Sequence, residues 1–197
     1  MSPRSGLTTE RVVRAAAELA DEIGFDKLTL SAVARHFGVK DPSLYVHVRN
    51  LHDLRVRVAL LASAELNDRI GVAVAGRAGK DALVAFADAY RAYVLEHPQR
   101  YAATQIRMDP AEVAGEPALL RSIELTTSVL RGYGLAEREA LDAARLLRST
   151  FHGFATLEAA GGFAHSHPTD DSWPHILDAL HLALSNWPTY TNEDNTR

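Results

Sequence analysis

Apolar residues recur at helical spacing along nearly the whole chain of 197 residues, a pattern that predicts an all-α protein. Between Thr9 and Ile23 they fall at positions i, i+3, i+4 and i+7, which places them on one face of a helix. No segment alternates apolar and polar residues as a half-buried strand would, and no unit repeats at a fixed period. The predicted helices run from Thr9 to Ile23, from Leu30 to Phe37, from Asp41 to His47, from Asn50 to Ile70, from Lys80 to Glu96, from Ala118 to Leu130, from Glu137 to Ala160 and from Trp173 to Trp187.

Polar and glycine residues indicate where these helices begin and end. Thr8 or Thr9 can cap the first helix, and Gly24 suits the left-handed conformation beyond its last residue. Asn50 can cap the fourth helix. The small, glycine-containing stretch 71–79 predicts the connection that follows this helix.

Composition excludes several classes of protein. Hydrophobic residues make up 47% and charged residues 23% of the chain, as in ordinary globular proteins. No apolar run approaches the roughly 18 residues of a membrane span, and no apolar core follows the charged N-terminus, so we expect a cytoplasmic protein that does not associate with membranes. Because the chain has no cysteine, disulfides, thiolate metal sites and cysteine nucleophiles are excluded.

The sequence also lacks the common catalytic signatures. It contains no Gly-x-Ser-x-Gly elbow, phosphate loop or dinucleotide fingerprint, so neither an enzyme nor a cofactor is predicted. The alternative of a metal-dependent enzyme depends on His165 and His167, with His175 and His181 further along the chain. Metal sites on a helix usually need i, i+4 spacing or a supporting carboxylate, which makes zinc or nickel binding the less favoured interpretation.

Charge is distributed unevenly along the chain. The net charge is −4, but residues 1–57 contain nine basic and seven acidic residues, whereas the rest of the chain contains twelve basic and eighteen acidic residues. This split agrees with a small DNA-binding module at the N-terminus of an acidic body.

The segment from Leu28 to Asn50 has the outline of a helix-turn-helix. Two short predicted helices meet at a tight turn, Gly38-Val39. In such a motif the second helix, here about Asp41 to His47, lies in the major groove of DNA. Leu44 and Val48 are expected to pack inward, which leaves a polar, aromatic and proline-containing face for the groove.

These residues resemble the DNA-binding domain of the tetracycline-repressor (TetR) family. Phe37-Gly38-Val39-Lys40-Asp41-Pro42-Ser43-Leu44-Tyr45-Val46-His47-Val48-Arg49-Asn50 is similar to the family's Gly-Val, four variable residues and Leu-Tyr-x-His. Upstream, Gly24-Phe25 and the run from Thr29 to Ala34 match the family's glycine-aromatic and threonine patterns. The motif covers about residues 9–60, and the order of helices fits the whole chain. The resemblance implies a three-helix DNA-binding domain, residues 1–52, joined by a long helix to a helical ligand-binding and dimerisation domain, residues 53–197.

The resemblance implies roles for individual residues at the DNA. The residues expected to contact DNA are Thr29, Ser31, Lys40, Asp41, Pro42, Ser43, Tyr45, His47 and Arg49. Thr29 and Ser31 would face a phosphate or a base edge, and Lys40 would contact the phosphate backbone. The hydroxyl and imidazole groups of Ser43, Tyr45 and His47 would donate to phosphates and fix the register.

Alternatives stay open at Asp41 and around Leu51. Asp41 could accept from a cytosine amino group, or it could only favour the positive end of its helix, while Pro42 could touch a thymine methyl. The family often has Lys at the position of Leu51, where it binds a phosphate. Leu51 cannot do so, and Arg49 or Arg55 could take its place.

The last two long predicted helices carry more apolar surface than the core of one chain needs. The resemblance implies that these helices form a two-fold, four-helix dimer interface. The expected interface residues are Leu146, Thr150, Leu157, Leu177, Leu180 and Leu184.

A small-molecule pocket is expected in the same domain. Its expected lining is aromatic and apolar with a few polar groups: Phe86, Tyr90, Tyr93, Tyr101, Gln105, Met108, Leu125, His152 and Phe154. Aromatic residues at helical spacing are also typical of an ordinary core, and a structural role in the core is the favoured interpretation of His152 over ligand binding. The run Phe151-His152-Gly153, followed by the helix of Trp173, resembles a subset of the family that carries Trp-His-Gly at this place.

The function predicted from the sequence is therefore a ligand-responsive transcriptional regulator. It would bind a near-palindromic operator in double-stranded DNA as a homodimer and release it when a small molecule occupies the C-terminal domain. Repression is the usual outcome in the family, and activation stays open. The alternative is an architectural or ligand-independent DNA-binding protein, whose DNA binding would be indifferent to any metabolite.

Overall fold

A computed structural model of the chain describes residues 7–164 and 168–188, and its regular elements are all helical. The α-helices of this part of the chain are α1 (Thr9–Ile23), α2 (Leu30–Phe37), α3 (Leu51–Val74), α4 (Gly79–Glu96), α5 (Pro98–Ala103), α6 (Pro117–Arg131), α7 (Glu137–Ala159) and α8 (Thr169–Ser185). Two short 3₁₀-helices, Phe25–Lys27 and Asp41–Leu44, lie on either side of α2. The predicted all-α fold is confirmed.

The predicted helix from Asp41 to His47 differs from the structure. The chain forms a 3₁₀-helix over Asp41–Leu44 and then a turn through His47. Pro42 has no N–H to donate, and a short 3₁₀ turn accommodates proline near its start.

Two predictions at helix ends beyond the helix-turn-helix were also wrong. Helix α3 continues through Gly71 to Val74, so the connection begins after Val74 rather than at Gly71. A β-carbon at Gly71 would lie 3.4 Å from the guanidinium of Arg121, an ordinary van der Waals contact, and Gly71 does not interrupt the helix. Helix α8 begins at Thr169, four residues before Trp173, and Asp170 and Asp171 in its first turn favour the positive helix end.

The chain divides into two compact units. The first, the reading unit, contains the described residues up to Glu65 together with His97–Leu120. The second, the body, contains Leu66–Glu96 together with the described residues from Arg121 onward. Helix α3 contributes residues to both units, and α5 belongs to the reading unit although it follows α4. This division differs from the predicted boundary at residues 52/53, which stays a prediction about function.

The core of the reading unit consists mainly of small and β-branched side chains. Its members are Val12, Val13, Ala16, Ala17, Ala20, Phe25, Leu28, Val33, Ala34, Leu44, Val48, Leu54, Val58, Ala59 and Ala103. Ile106 and Met108, from the segment after α5, pack against it. Burial of each Val or Leu side chain stabilises this unit by about 1.5–3 kcal/mol, which anchors a short helix pair that could not persist alone.

The body is built on the packing of α4 against α7 and α8. Phe151 of α7 is 1% exposed and lies at the centre of this packing. Its ring centroid is 5.9 Å from those of Phe86 and Tyr90 in α4 and 6.0 Å from that of Trp173 in α8. Aromatic pairs at these separations stabilise a fold beyond the burial of apolar surface alone. Phe151 therefore stabilises the packing of α7 against α4 and α8.

Candidate nucleic-acid interface

Local capping signals form the turn between α2 and the segment that follows it. The hydroxyl oxygen of Thr29 accepts from the backbone N–H of Ala32 at 3.1 Å, which caps α2. At the other end, Gly38 has φ +66°, a left-handed conformation that glycine adopts without strain. The N–H of Val39 then donates to the carbonyl of Ala34 at 3.0 Å, and the chain reverses direction.

Residues Lys40–Asn50, here called the reading segment, follow this turn and are anchored by two buried side chains. Leu44 is completely buried and Val48 is 2% exposed in the core of the reading unit. The N–H groups of His47 and Val48 both donate to the carbonyl of Leu44, at 2.8 and 3.0 Å. Between these anchors Tyr45 is 56% exposed, so the segment presents side chains outward from a fixed backbone.

The structure brings the residues predicted to contact DNA onto two adjacent pieces of chain. Thr29 and Ser31 lie at the N-terminal end of α2, and the other seven lie in the reading segment. Exposed side chains are those of Thr29, Ser31, Lys40, Pro42, Ser43, Tyr45 and Arg49, whereas Asp41 and His47 are half-buried. Their contact with DNA stays a prediction.

Asp41 has a partner within the chain. The hydroxyl of Ser31 donates to Oδ2 of Asp41, ten residues later. The sequence pattern gave no indication of this bond, because it depends on how the turn at Gly38 orients α2 relative to the reading segment.

Asp53 organises the end of the reading segment and the start of α3. Its backbone N–H donates to the side chain of Asn50 at 2.9 Å, which confirms the predicted cap. Its carboxylate accepts from the backbone N–H of Arg49 at 2.9 Å and from Nε of Arg57 at 3.2 Å. Burial by itself would raise the pKa of Asp53, but these hydrogen bonds and the charge of Arg57 outweigh it and lower the pKa below its usual value.

Of the two arginines considered as substitutes at Leu51, Arg49 is exposed and Arg55 is half-buried. The Arg49 side chain is 73% exposed, although it contacts Asp53 at 3.3 Å. Arg55 donates to the backbone carbonyls of Asp26 and Leu28, at 2.9 and 3.3 Å. Arg55 therefore holds the connection between α1 and α2, and its contact with a phosphate stays a prediction.

The structure also adds residues to this region that the sequence analysis missed. Glu112, in the segment between α5 and α6, lies 3.9 Å from Arg49 and 3.5 Å from the imidazole of His52. Arg100 of α5 bonds Asp21 of α1 at 2.9 Å. These contacts join residues more than 50 positions apart, so no local sequence signal could have indicated them.

In the body, the residues expected at the dimer interface fall into two groups. Leu146 and Leu157 of α7 are 36% and 50% exposed, and Thr150 between them is half-buried. Leu177, Leu180 and Leu184 of α8 are 2%, 7% and 1% exposed, because they pack into the interior of the same chain. We therefore correct the assignment of these three to the intramolecular core.

The residues expected to line a pocket are divided between the two units. Tyr101, Gln105 and Met108 belong to the reading unit, where Tyr101 is buried and Gln105 is exposed. Phe86, Tyr90, Tyr93, Leu125, His152 and Phe154 belong to the body and are buried or half-buried there. Their role as a ligand-binding lining stays a prediction.

A cluster of charged and aromatic side chains joins α4, α7 and α8 in the body. The guanidinium of Arg91 donates to Glu158 at 2.7 Å and to Asp170 at 2.6 Å. It also lies 5.7 and 5.6 Å from the ring centroids of Phe154 and Trp173. An open depression of about 250 Å³ beside it is lined by Asp88, Arg91, Ala92, Leu95 and Asp170.

Two other expectations concern metals and membranes. His165 and His167 lie outside the described residues, and the described ones contain no group of three His, Asp or Glu side chains arranged to hold a metal ion. None of the helices in residues 7–164 and 168–188 combines the length and apolarity needed to cross a bilayer.

Comparisons with known families and proteins cover both units. Residues 12–54 match the model of bacterial regulatory proteins of the tetR family, and residues 83–180 match that of the tetracycline repressor-like C-terminal domain. An uncharacterised HTH-type transcriptional regulator of Bacillus subtilis, YobS, is 35% identical over 187 residues, which span 93% of this chain and 92% of that protein. Another, from Mycobacterium tuberculosis, is 36% identical over 156 residues, 79% of this chain and 72% of its own length.

Solved structures share the fold at lower identity. A TetR variant of Acinetobacter baumannii AYE in complex with minocycline aligns with a TM-score of 0.72 and 22% identity, over 94% of this chain and 100% of that one. BioQ with its double-stranded DNA operator aligns with a TM-score of 0.67 and 20% identity, over 92% and 99% of the two chains.

Proposed function

The chain belongs to the TetR family of DNA-binding transcriptional regulators, and on this premise we propose that it is a repressor controlled by a small molecule. It binds a near-palindromic operator as a homodimer and leaves the operator when an effector occupies the body. Because its target is chromosomal DNA, it acts in the cytoplasm. The observation that carries the proposal is the reading segment, whose exposed polar side chains stand on a backbone anchored by Leu44 and Val48.

Contacts to DNA are made by the nine residues of α2 and the reading segment predicted above. Lys40 and Arg49 bind phosphates through their charges, and Ser43, Tyr45 and His47 fix the register by donating to the backbone. Thr29 caps α2 through its oxygen, which leaves its hydroxyl proton available to a phosphate. Pro42 is exposed and lies against a thymine methyl in the groove.

Dimerisation uses the outer face of α7 and α8. Leu146, Thr150 and Leu157 share one side of α7 by helical spacing, and both leucines are exposed in the single chain. Leu182 of α8 is 62% exposed, on the opposite side of that helix from the buried Leu180 and Leu184. Large exposed leucines on neighbouring helices favour a protein partner, and a second copy of the chain supplies the matching face.

The effector binds in the body and acts by shifting a population. A dimer that fits half-sites one turn apart holds its reading segments about 34–36 Å apart. An effector with higher affinity for a different separation weakens DNA binding by that difference in affinity. Helix α3 contributes to both units and is the covalent route for this coupling. The minocycline complex of the A. baumannii relative supports a small molecule as the effector class.

The effector site is proposed to include the aromatic residues of the body. Phe86, Tyr90 and Phe154 lie in or beside the cluster around Phe151, and His152 follows Phe151 in α7. The place of Phe151-His152-Gly153 in this helix, next to Trp173, supports kinship with the Trp-His-Gly subset. In that arrangement Phe151 takes the position of the tryptophan.

Loss of the ring side chains of Tyr45 and His47 tests the DNA-binding role. The parent protein first selects its operator from randomised double-stranded DNA, and affinity for this DNA is then measured by fluorescence anisotropy. Tyr45→Ala combined with His47→Ala should reduce affinity to the non-specific level, about a thousandfold, because the contacts that fix the register are lost.

Val46→Ala is the matched control. Val46 lies between these two residues, is 84% exposed and is not assigned to DNA, so its variant should bind as the parent does. Circular dichroism verifies that both variants are folded. Operator binding unchanged in the double variant would contradict the assignment of the site.

The dimer face is tested by sedimentation velocity at micromolar concentration. Leu146→Asp with Leu157→Asp should convert the dimer to a monomer, because charges would be buried without partners in the interface. Leu141→Asp serves as the control: Leu141 is 52% exposed on the same helix, but residues five apart in a helix point about 140° apart, so it lies away from Leu146. A monomeric parent protein would refute the interface.

A further inference from the structure

Ser31 and Asp41 are joined by a hydrogen bond across the turn of the helix-turn-helix. Ser31 is the second residue of α2, and Asp41 is the first residue of the 3₁₀-helix that opens the reading segment. The hydroxyl of Ser31 donates to Oδ2 of Asp41, so one oxygen of this carboxylate is occupied within the protein. Ser31 is exposed and Asp41 is half-buried, which leaves the pair accessible from outside.

The bond determines what the pair can offer to an outside partner. An ionised carboxylate only accepts hydrogen bonds, and beside the bond from Ser31 it keeps Oδ1 and one lone pair of Oδ2 as acceptors. The hydroxyl proton of Ser31 is used in the bond, so the pair presents acceptors and no donor. A pair of this polarity binds a donor and repels another acceptor.

The major groove contains both kinds of group. The amino groups of cytosine N4 and adenine N6 are donors, whereas guanine O6 and N7 and thymine O4 are acceptors. The pair can thus distinguish bases that present a hydrogen-bond donor from bases that present only acceptors, at one position of one DNA strand. The phosphates repel a carboxylate. Binding of Asp41 in the groove is therefore favourable only where a base amino group donates a hydrogen bond to it.

We infer that Ser31 and Asp41 form a specificity-determining pair, in which Asp41 accepts from the amino group of a cytosine or adenine in the operator. This inference rests on the proposed DNA-binding function. Ser31 is a positioning residue: without it, the Asp41 carboxylate is free to rotate among its staggered rotamers and no longer presents one oxygen in a fixed direction.

The experiment measures base preference as well as affinity. Full-length protein selects its operator from randomised double-stranded DNA, and anisotropy gives its affinity for that operator and for every single base-pair substitution. At one position the parent should disfavour guanine or thymine by about tenfold or more, and Asp41→Ala should remove this preference. Asp41→Asn should weaken it, because the amide can donate to the acceptors of guanine and thymine.

Two variants of Ser31 distinguish positioning of Asp41 from a simple contact with the DNA phosphate backbone. Ser31→Ala should reduce the preference at the same position, and Ser31→Thr, which keeps the hydroxyl, should preserve it. Ser43→Ala is the matched control. Ser43 is exposed and, among the described residues, has no side-chain hydrogen bond, so its variant should lose affinity but keep the base preference at the position that Asp41 contacts. Thermal melting verifies that each variant is folded.

Each outcome decides a separate statement. An unchanged preference profile in Asp41→Ala would overturn the inference. A profile altered by Asp41→Ala but not by Ser31→Ala would overturn the role of Ser31. A parent protein that selects no sequence would refute the proposed function itself, and the inference with it.

Discussion

The reading segment and the arginine cluster of the body use polar side chains in opposite ways. Around Arg91, charges are paired inside the protein: the Arg91 and Glu158 side chains are only 15% and 13% exposed. Hydrogen bonds to Glu158 raise the pKa of Arg91 although burial opposes them, and the bond from Arg91 lowers the pKa of Glu158. The same guanidinium also reaches Asp170 and the ring of Trp173, so its binding capacity is used within the fold.

In the reading segment, Lys40, Ser43 and Tyr45 expose polar side chains to the outside of the fold. Among the described residues, Lys40, Ser43 and Tyr45 make no side-chain hydrogen bond or ion pair. Leu44 and Val48 are the buried residues of this segment, and they anchor its backbone to the core. The difference indicates that the charges around Arg91 stabilise the fold, whereas the side chains of Lys40, Ser43 and Tyr45 are available to a ligand outside the chain.

The largest expected effect comes from removing the arginine of the body. Arg91→Ala should lower the free energy of unfolding by about 3–5 kcal/mol, because it leaves the carboxylate of Glu158 largely buried without its cation. Urea denaturation of the parent and the variant measures this difference.

Arg145→Ala provides the control in the same unit. Arg145 is 69% exposed and pairs with Asp142 one turn earlier on α7, so its removal should cost about 0–1 kcal/mol. If Arg91→Ala were as mild as Arg145→Ala, the cluster would not stabilise the fold and the contrast between the two regions would disappear.

A smaller effect is expected at Asp53, a buried carboxylate of the reading unit that is paired with arginines as Glu158 is in the body. Its pKa is lowered in the folded chain, so its contribution is complete above the ordinary value of 3.8 and is lost as the pH falls through the folded value. Asp53→Asn should lower the free energy of unfolding at pH 7 by about 1.5–3 kcal/mol, since hydrogen bonds to a charged acceptor are lost.

The pH dependence supplies the decisive measurement. The parent should lose stability between about pH 5 and pH 2. Asp53→Asn should lose less over this range, and so should Glu158→Gln in the body, where the pKa is also lowered. Asp68→Asn, a change of an exposed carboxylate, should follow the parent. Parallel acid curves for the parent and Asp53→Asn would show that Asp53 does not act as a paired carboxylate.

The helix-turn-helix was predictable because its signals are local. Thr29 and Asn50 cap the helices that follow them, and Gly38 supplies the left-handed turn, each within a few residues of what it determines. The bond between Ser31 and Asp41 was not predictable, because it depends on the angle between two helices rather than on spacing in either.

Apolar spacing predicted the helices of the body but not what each face packs against. Leu180 and Leu182 are two residues apart on α8, yet Leu180 is 7% exposed and Leu182 is 62% exposed. A leucine contributes the same hydrophobicity to a core and to an interface, so only the position of α4 and α7 against α8 distinguishes them. The pairing of Arg91 with residues 67 and 79 positions away depends on the same packing.

The smallest effect on stability, and the sharpest test of the contrast, is expected at Lys40. Lys40→Ala should change the free energy of unfolding by less than about 0.5 kcal/mol, because this exposed side chain has no partner among the described residues. Affinity for DNA of any sequence should nevertheless fall, and the slope of log affinity against log salt should decrease by about 1, as one phosphate contact is lost. Lys80→Ala removes the same charge from the body, where Lys80 pairs with Asp178 at 2.7 Å, and should leave the slope unchanged. Equal slopes for the two variants would mean that net charge, rather than the position of Lys40 in the reading segment, governs binding.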